Sequence, residues 1–416
     1  MLCAYKSAHG YTNKTNIYRC CLSLQCTKLR YRTHIMAVAY AQINPANLRW
    51  ARERAQLSEA ALARKLKVEE DKLVAWEQGQ KRVTFKQAQE FAKQTLIPFG
   101  YLFLNIEPVE SLPIPDLRTI DNEHNPRPSA ELIKMVHTIL ERQAWYKDYL
   151  RHDQRLERNP YLGRFSTQHR PSEIVADMRN VLDIPEHPER GNWEDYYRTL
   201  IKKIESAGIL VMRQGDLGHH TRPLSVKEFR GFALFDPLAP IIFINQADAP
   251  SARLFTLIHE LAHIWIGQSG VSDAKPNANR AEEVLCNAVA AELLVPADEF
   301  LAHWQEFPQW QANLPTLKAH FHVSKWVLAR RALTLRKITQ QQYQSYIDSV
   351  QREHRERERT DGGPTYYRTR KGQVSERFAK ALVSEALSGR VLLRDAGKLL
   401  DIAPSKISTF AKELGI

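Results

Sequence analysis

Two histidines four residues apart, His259 and His263, flank Glu260 in the stretch LFTLIHELAHIWIG. A helix turns by about 100° per residue, so residues four apart project from one side, one turn apart. Both imidazoles can then reach a single zinc ion. Glu260 adjoins the first of them and lies beside the metal without binding it, where a base for the attacking water is needed. Thr256, Leu257, Ile258, Leu261, Ala262, Ile264 and Trp265 are all uncharged, which predicts a buried helix. Three polar side chains inside such a helix are costly without a partner ion.

A catalytic zinc takes three protein ligands and leaves a fourth position for water, so a further ligand is expected downstream. The segment RAEEVLCNAVAAELLVP predicts a helix with Val284, Ala288, Ala291 and Leu294 among its apolar positions. Glu282 and Glu283 follow His263 by 19 and 20 residues, and either carboxylate suits the role by type. HELAH followed by EVLCNAVAAELLVP resembles the ImmA/IrrE metallopeptidase family, over about Arg230 to Lys337. The resemblance implies a zincin-like domain that hydrolyses peptide bonds, with Zn2+ as cofactor and Glu260 as the catalytic base. It implies His259, His263 and Glu283 as the metal ligands, Glu283 being the glutamate four positions before Asn287. Cys286 stands where Ala is frequent in the family and reads as a small core residue. Candidates for an oxyanion donor are His219, His220, His320, His322 and Arg253, while Asn287 or Glu292 could orient a ligand.

The elements that must position these groups are legible around them. ILVMR, RGFALFDP and IIFINQ predict three strands of a small mixed sheet. Helices are expected at about Leu132 to Tyr149, Pro171 to Leu182 and Trp193 to Ala207, the last ended by Gly208. Nearer the start, Asn44 or Asn47 can cap a first helix and Ser58 a second. A tight turn at Lys67 and Val68 leads to a third helix from about Glu69 to Gln78, closed by Gly79, and a fourth follows. The stretch NLRWARERAQLSEAALARKLKVEEDKLVAWEQGQKRVTF resembles the XRE, or Cro/C1-type, helix-turn-helix family over about sixty residues. That resemblance implies a third helix in the DNA major groove, with Lys72, Gln78, Lys81 and Arg82 available for contacts. Two features depart from it: Glu59 stands where the family often has Gln, and Glu69, Glu70 and Asp71 open the third helix, where carboxylates pointed at phosphates are repelled. The bundle therefore reads either as a DNA-binding module or as a protein-docking unit of the same fold. Near the end, RDAGKLLDIAPSKISTFAKEL predicts two helices across a turn at Ile402 and Ala403, the second capped by Ser405. It fits a second helix-turn-helix outline or a hairpin packed on the peptidase domain.

The expected fold class is α+β, predominantly helical: a five-helix-type helix-turn-helix bundle, a central zincin-like domain with its HExxH helix, and a C-terminal helical bundle. The expected boundaries are an extension at 1–35, either unstructured or the product of an upstream start; the XRE-type unit at 44–107; and a linker at 108–129. The peptidase domain with helical flanks spans 130–358, followed by a linker at 359–372 and a helical segment at 373–416.

A length of 416 residues suits two or three such units. The net charge of +12 suits DNA as a partner, because Lys and Arg displace counterions from phosphates. No apolar run approaches the roughly 18 residues of a membrane span, so no membrane partner is expected. Four of the five cysteines fall within the first 26 residues, in no zinc or disulfide spacing, and no secretory signal pattern opens the chain. A cytoplasmic setting is the expectation, and a homodimer is compatible with it. ImmA/IrrE members that pair with helix-turn-helix repressors cleave them. The implied protein substrate is therefore a transcriptional repressor or a toxin–antitoxin partner. The alternative is a DNA-binding transcriptional regulator or antitoxin whose zincin-like domain serves in protein binding.

Overall fold

The computed structural model describes residues 39–116, 128–152, 159–185, 193–218, 222–272, 280–357 and 372–416. The 1–35 extension, His219, His220 and nearly all of the 359–372 linker lie outside the described residues.

The chain begins its described part with a small helical bundle. Helix α1 (Pro45–Arg54) starts with Pro45 in its first turn, and the Asn44 side chain accepts from the Ala46 amide at 3.1 Å. Asn47 does not cap; it is buried and donates to the Tyr101 and Leu104 carbonyls. Ser58 caps α2 (Glu59–Leu66), which Lys67 ends in the left-handed region at φ 55°. Helices α3 (Glu70–Glu77) and α4 (Phe85–Thr95) follow, the latter opened by a reciprocal Thr84 and Gln87 capping box. A 3-10 turn at Phe99–Phe103 closes the bundle over Leu48, Leu62, Leu73, Trp76, Phe91 and Leu102. Inside it, Arg52 grips Glu77 with Nε and Nη2, each 2.8 Å from a carboxylate oxygen.

Helices α5 (Ala130–His152), α6 (Pro171–Val181) and α7 (Trp193–Ser206) lead into the sheet. Its strands are β1 (Leu210–Gln214), β2 (Gly231–Leu234), β3 (Ile241–Asn245) and β4 (Gly270–Ser272), in the order β1-β3-β2-β4. β1 runs parallel to β3, and the remaining pairs are antiparallel. Helix α8 (Pro250–Trp265) connects β3 to β4, and α9 (Ala281–Leu294) comes after β4. Then come α10 (Ala297–His303), α11 (Leu314–Phe321), α12 (Lys325–Thr334), α13 (Gln340–Arg357), α14 (Glu376–Leu387), α15 (Leu393–Leu400) and α16 (Ile407–Leu414). The protein is predominantly helical α+β.

Both faces of the sheet are covered, which is why its strands read as unbroken apolar runs. Val211, Ala233, Ile242 and Ile244 face a core built with α6, α7, α8, α9, α11 and α12. Their neighbours Leu210, Met212, Phe232, Ile241 and Phe243 point the opposite way, to Val136 and Ile139 of α5 and to Phe378, Leu382 and Phe410 of the last helices. The period of two is thus present in side-chain direction, not in polarity. Buried Gln143 on α5 donates to the Ala239 carbonyl at 2.8 Å, and Arg142 to that of Leu399.

Three local readings are corrected. Val284, expected inward, is 53% exposed, because α9 turns Glu283, Leu285, Cys286, Val289 and Ala290 toward its neighbours. Ser405 does not cap the last helix: Pro404–Lys406 forms a 3-10 turn, and Lys406 holds the cap position without a side-chain hydrogen bond. β4, three residues long, is a strand that the sequence pattern did not announce. The bundle touches the sheet region through Arg222, which donates to the Gln94 carbonyl at 3.1 Å and to its side chain at 2.9 Å. The Pro115 carbonyl accepts from the Val271 amide at 3.0 Å, along the outer edge of β4. Among the described residues, no helix is long and apolar enough to cross a membrane.

Candidate metal centre

Helix α8 is apolar nearly all round, so it can only lie inside the protein, between the sheet and α9. Leu254, Phe255, Leu257, Ile258, Leu261, Ala262, Ile264 and Trp265 are all buried. His259, Glu260 and His263 share that burial at 0% exposure, and Glu283 enters from α9 at 1%. The two Nε2 atoms lie 3.2 Å apart. Glu283 bridges them, with Oε2 3.2 Å from His259 Nε2 and Oε1 3.1 Å from His263 Nε2. These are ion-pair distances, yet among the described residues neither Glu283 oxygen nor either Nδ1 meets a partner in hydrogen-bonding geometry. Glu282 is only half-buried and does not join this group.

Such a cluster of acceptor atoms is poorly served by hydrogen bonds alone, since unpaired buried polar groups cost roughly 1–3 kcal/mol each. Converging lone pairs at one point are what a divalent cation requires. Ligand atoms about 2.0–2.1 Å from a tetrahedral ion lie about 3.3 Å apart. The observed edges of 3.1–3.2 Å fit that triangle closely. Among the described residues, His259, His263 and Glu283 are thus brought together as a group that could hold one small metal ion.

The electrostatics of the centre follow from burial. Desolvation pushes the His259 imidazole below its ordinary range, against the pull of Glu283. Burial alone would raise Glu283, but the two imidazoles beside it hold its carboxyl well below the usual carboxylate range. Burial lifts the Glu260 carboxyl well above that range, opposed by a hydrogen bond from Ser272 and reinforced by the Glu283 charge. Ser272 Oγ donates to Glu260 Oε1 at 2.5 Å, while Oε2 has no partner among the described residues. Burial likewise pushes the Cys286 thiol up, as suits an inert core residue.

Asn287, one turn beyond Glu283, accepts from Arg330 Nη2 at 2.7 Å. That guanidinium is buried and lies 4.3 Å above the Phe255 ring, which in turn stacks near His259. Arg330 comes from α12, as does Trp326, whose ring meets Phe255 edge-on at 5.5 Å, and nothing in their local sequence marks them. Glu292 is engaged elsewhere, pairing with Arg331 and so tying α9 to α12. The oxyanion candidates fare differently. Arg253 donates to the Asp248 carbonyl at 3.0 Å and to that of Gln246. His320 pairs with Glu299 at 3.1 Å and stacks on His303, and exposed His322 ends α11 at φ 52°.

Lys72, Gln78, Lys81 and Arg82 lie away from this centre, on α3 and the loop after it. Gln78, Lys81 and Arg82 are exposed and Lys72 partly so. Lys72 Nζ sits 5.5 Å above the Trp76 ring, the Arg82 guanidinium 5.0 Å above Tyr40, and Gln78 accepts from Gln80 at 2.8 Å. The exposed Glu69, Glu70 and Asp71 share the start of α3.

No curated protein matches the chain. Residues 374–413, which include most of the last three helices, match the family model of a domain of unknown function (DUF8813). Residues 214–333, which contain His259, Glu260, His263 and Glu283, match that of the IrrE N-terminal-like domain, a peptidase family; over this stretch the chain is similar to metallopeptidases of that family.

Proposed function

We propose that this chain is a zinc-dependent metallo-endopeptidase acting on a protein substrate. The observation that carries the reading is the fully buried His259, His263 and Glu283 group, with ligand atoms 3.1–3.2 Å apart and Glu260 beside it. Two imidazoles and one carboxylate are a donor set that zinc favours, and three ligands leave a position open for chemistry. Zinc, when bound, supplies Lewis acidity that polarises a peptide carbonyl. The chain supplies the rest. His259, His263 and Glu283 hold the ion, and Glu260 takes a proton from the attacking water and delivers it to the leaving amine. The low-dielectric surroundings of α8 and α9 strengthen each of these electrostatic interactions.

In this reading the N-terminal bundle is a helix-turn-helix, with α2 and α3 joined at Lys67, that brings the peptidase to DNA or to a DNA-bound repressor. Tethering of that kind raises the local concentration of a substrate on the same DNA. The substrate class is a transcriptional repressor or a toxin–antitoxin partner, in a cytoplasmic setting. The test is Glu260→Gln in the zinc-loaded full chain. Cleavage of a co-expressed helix-turn-helix partner is lost while zinc content and duplex binding persist. Unaltered cleavage removes Glu260 from the chemistry; binding of the partner without any cleavage by the unmutated chain favours a regulator that uses this domain for docking.

A further inference from the structure

Glu260 is held on one side only. Its carboxylate faces the antiparallel pair formed by Gly231 of β2 and Ser272 of β4. A Cβ at position 231 would come within 2.8 Å of Glu260 Oε1, 2.8 Å of the Phe243 carbonyl oxygen and 3.0 Å of Glu260 Cγ. Close approach, not backbone conformation, is what glycine serves here, and the carboxylate lies against the strand where any side chain would stand. Ser272 then supplies the one hydrogen bond to this carboxylate among the described residues, Oγ to Oε1 at 2.5 Å, with both residues at 0% exposure. Oε2, equally buried, has no hydrogen-bond partner among the described residues. The backbone of β4 is fixed without the hydroxyl: the Ser272 carbonyl accepts from the Arg230 amide at 3.2 Å, and Val271 is bonded to Pro115.

We propose that Ser272 is a positioning residue for the hydrolysis assigned above, on which this inference rests. By occupying Oε1, the hydroxyl leaves Oε2 as the oxygen that exchanges protons with the reactants. A glutamate has three rotatable bonds, and a carboxylate anchored at one oxygen retains a single presentation of the other. The step balances as a hydrolysis. The water oxygen bonds to the carbonyl carbon as its proton passes to Oε2; the C–N bond breaks as that proton passes to the amine nitrogen. The second water proton leaves with the products, nothing is oxidised or reduced, and Ser272 keeps its own proton throughout.

The kinetic experiment uses the full chain and two variants. Ser272→Ala removes the donor, and Ser272→Cys keeps the shape with a weak donor. The assay probe is dye-quenched casein, with zinc-loaded protein. Both variants are expected to lower kcat about 10- to 100-fold with KM and zinc stoichiometry unchanged. A second readout needs no substrate: in urea unfolding of the metal-free chain, Ser272→Ala and Glu260→Ala couple by roughly tenfold in the unfolding equilibrium constant. Additive effects in that cycle, wild-type kcat in Ser272→Ala, or wild-type kcat in Ser272→Cys each overturn the proposal while leaving Glu260 as base. No casein cleavage by the unmutated zinc protein overturns the peptidase reading, and the proposal with it.

Discussion

Replacing Glu283 tests the proposed contribution of zinc to stability, because this one carboxylate bridges both imidazoles, at 3.2 Å and 3.1 Å. A ligand that binds only the folded state stabilises it by RT ln(1 + [L]/Kd), about 2.7 kcal/mol when free zinc is held at 100 times Kd. In a domain of a few hundred residues, each kcal/mol raises Tm by about 2–4 °C, so zinc should shift the unmutated chain by about 5–10 °C. Glu283→Ala removes one of the three proposed ligands. If Kd rises about 100-fold, the same free zinc gives only RT ln 2, about 0.4 kcal/mol, and a shift of about 1–2 °C. Glu282→Ala alters the adjacent, half-buried carboxylate and should keep the full shift. The assay is thermal unfolding of the three full-length proteins in EDTA and in zinc buffered at one free concentration. Equal zinc shifts in Glu283→Ala and in the unmutated chain would falsify the assignment of Glu283 as a ligand.

Three further outcomes are expected. Arg52→Ala strands Glu77, whose side chain is 2% exposed, and should destabilise the N-terminal bundle by about 3 kcal/mol, read as an earlier urea transition; an unchanged midpoint refutes it. Burial would raise the Asp236 carboxyl, but Lys147 and the Leu238 and Ala239 amides hold it below the ordinary range. A depressed folded-state pKa stabilises above the unfolded value of about 3.9 and is lost as pH falls through the folded value. Asp236→Asn should therefore lower the urea midpoint at pH 7, with the gap to the unmutated chain narrowing as pH falls below about 3.9, whereas a constant gap as acid is added contradicts the ion-pair argument. If the bundle binds DNA, replacing Lys72, Lys81 and Arg82 with alanine should lessen the slope of log K against log salt by about 0.9 per lost phosphate contact. Absence of duplex affinity at low salt in the unmutated chain retires that role.

What could be read in the sequence depended on how local each feature is. His259, Glu260 and His263 lie within one and a half turns of a single helix, so residue spacing alone places them on one side. The caps at Asn44 and Ser58 are local in the same sense, each a contact within three residues. Choosing Glu283 over Glu282 needed the family resemblance, because both stand in the first turn of α9 and only the packing of α8 on α9 separates them. Ser272 and Arg330 were not legible. Each meets the centre only through tertiary packing, Ser272 from a strand too short to display alternation and Arg330 from α12. Gly231 gave no signal either, since its constraint is a neighbour on another element and not its own φ. The three longer strands were recognisable as apolar runs, but not which face met which helices, for polarity does not alternate along a strand with two covered faces.

The sheet's second face gives the last helices a role beyond their own packing. Phe232, Phe243 and Met212 are sheathed by segments that lie before and after the peptidase-like stretch, at Val136 and at Phe378. A fragment trimmed to residues 214–333 would keep the histidines and glutamates while baring a slab of aromatic and aliphatic surface to water. Such a fragment should self-associate instead of dissolving, so the homologous stretch and the folding unit are different lengths of chain.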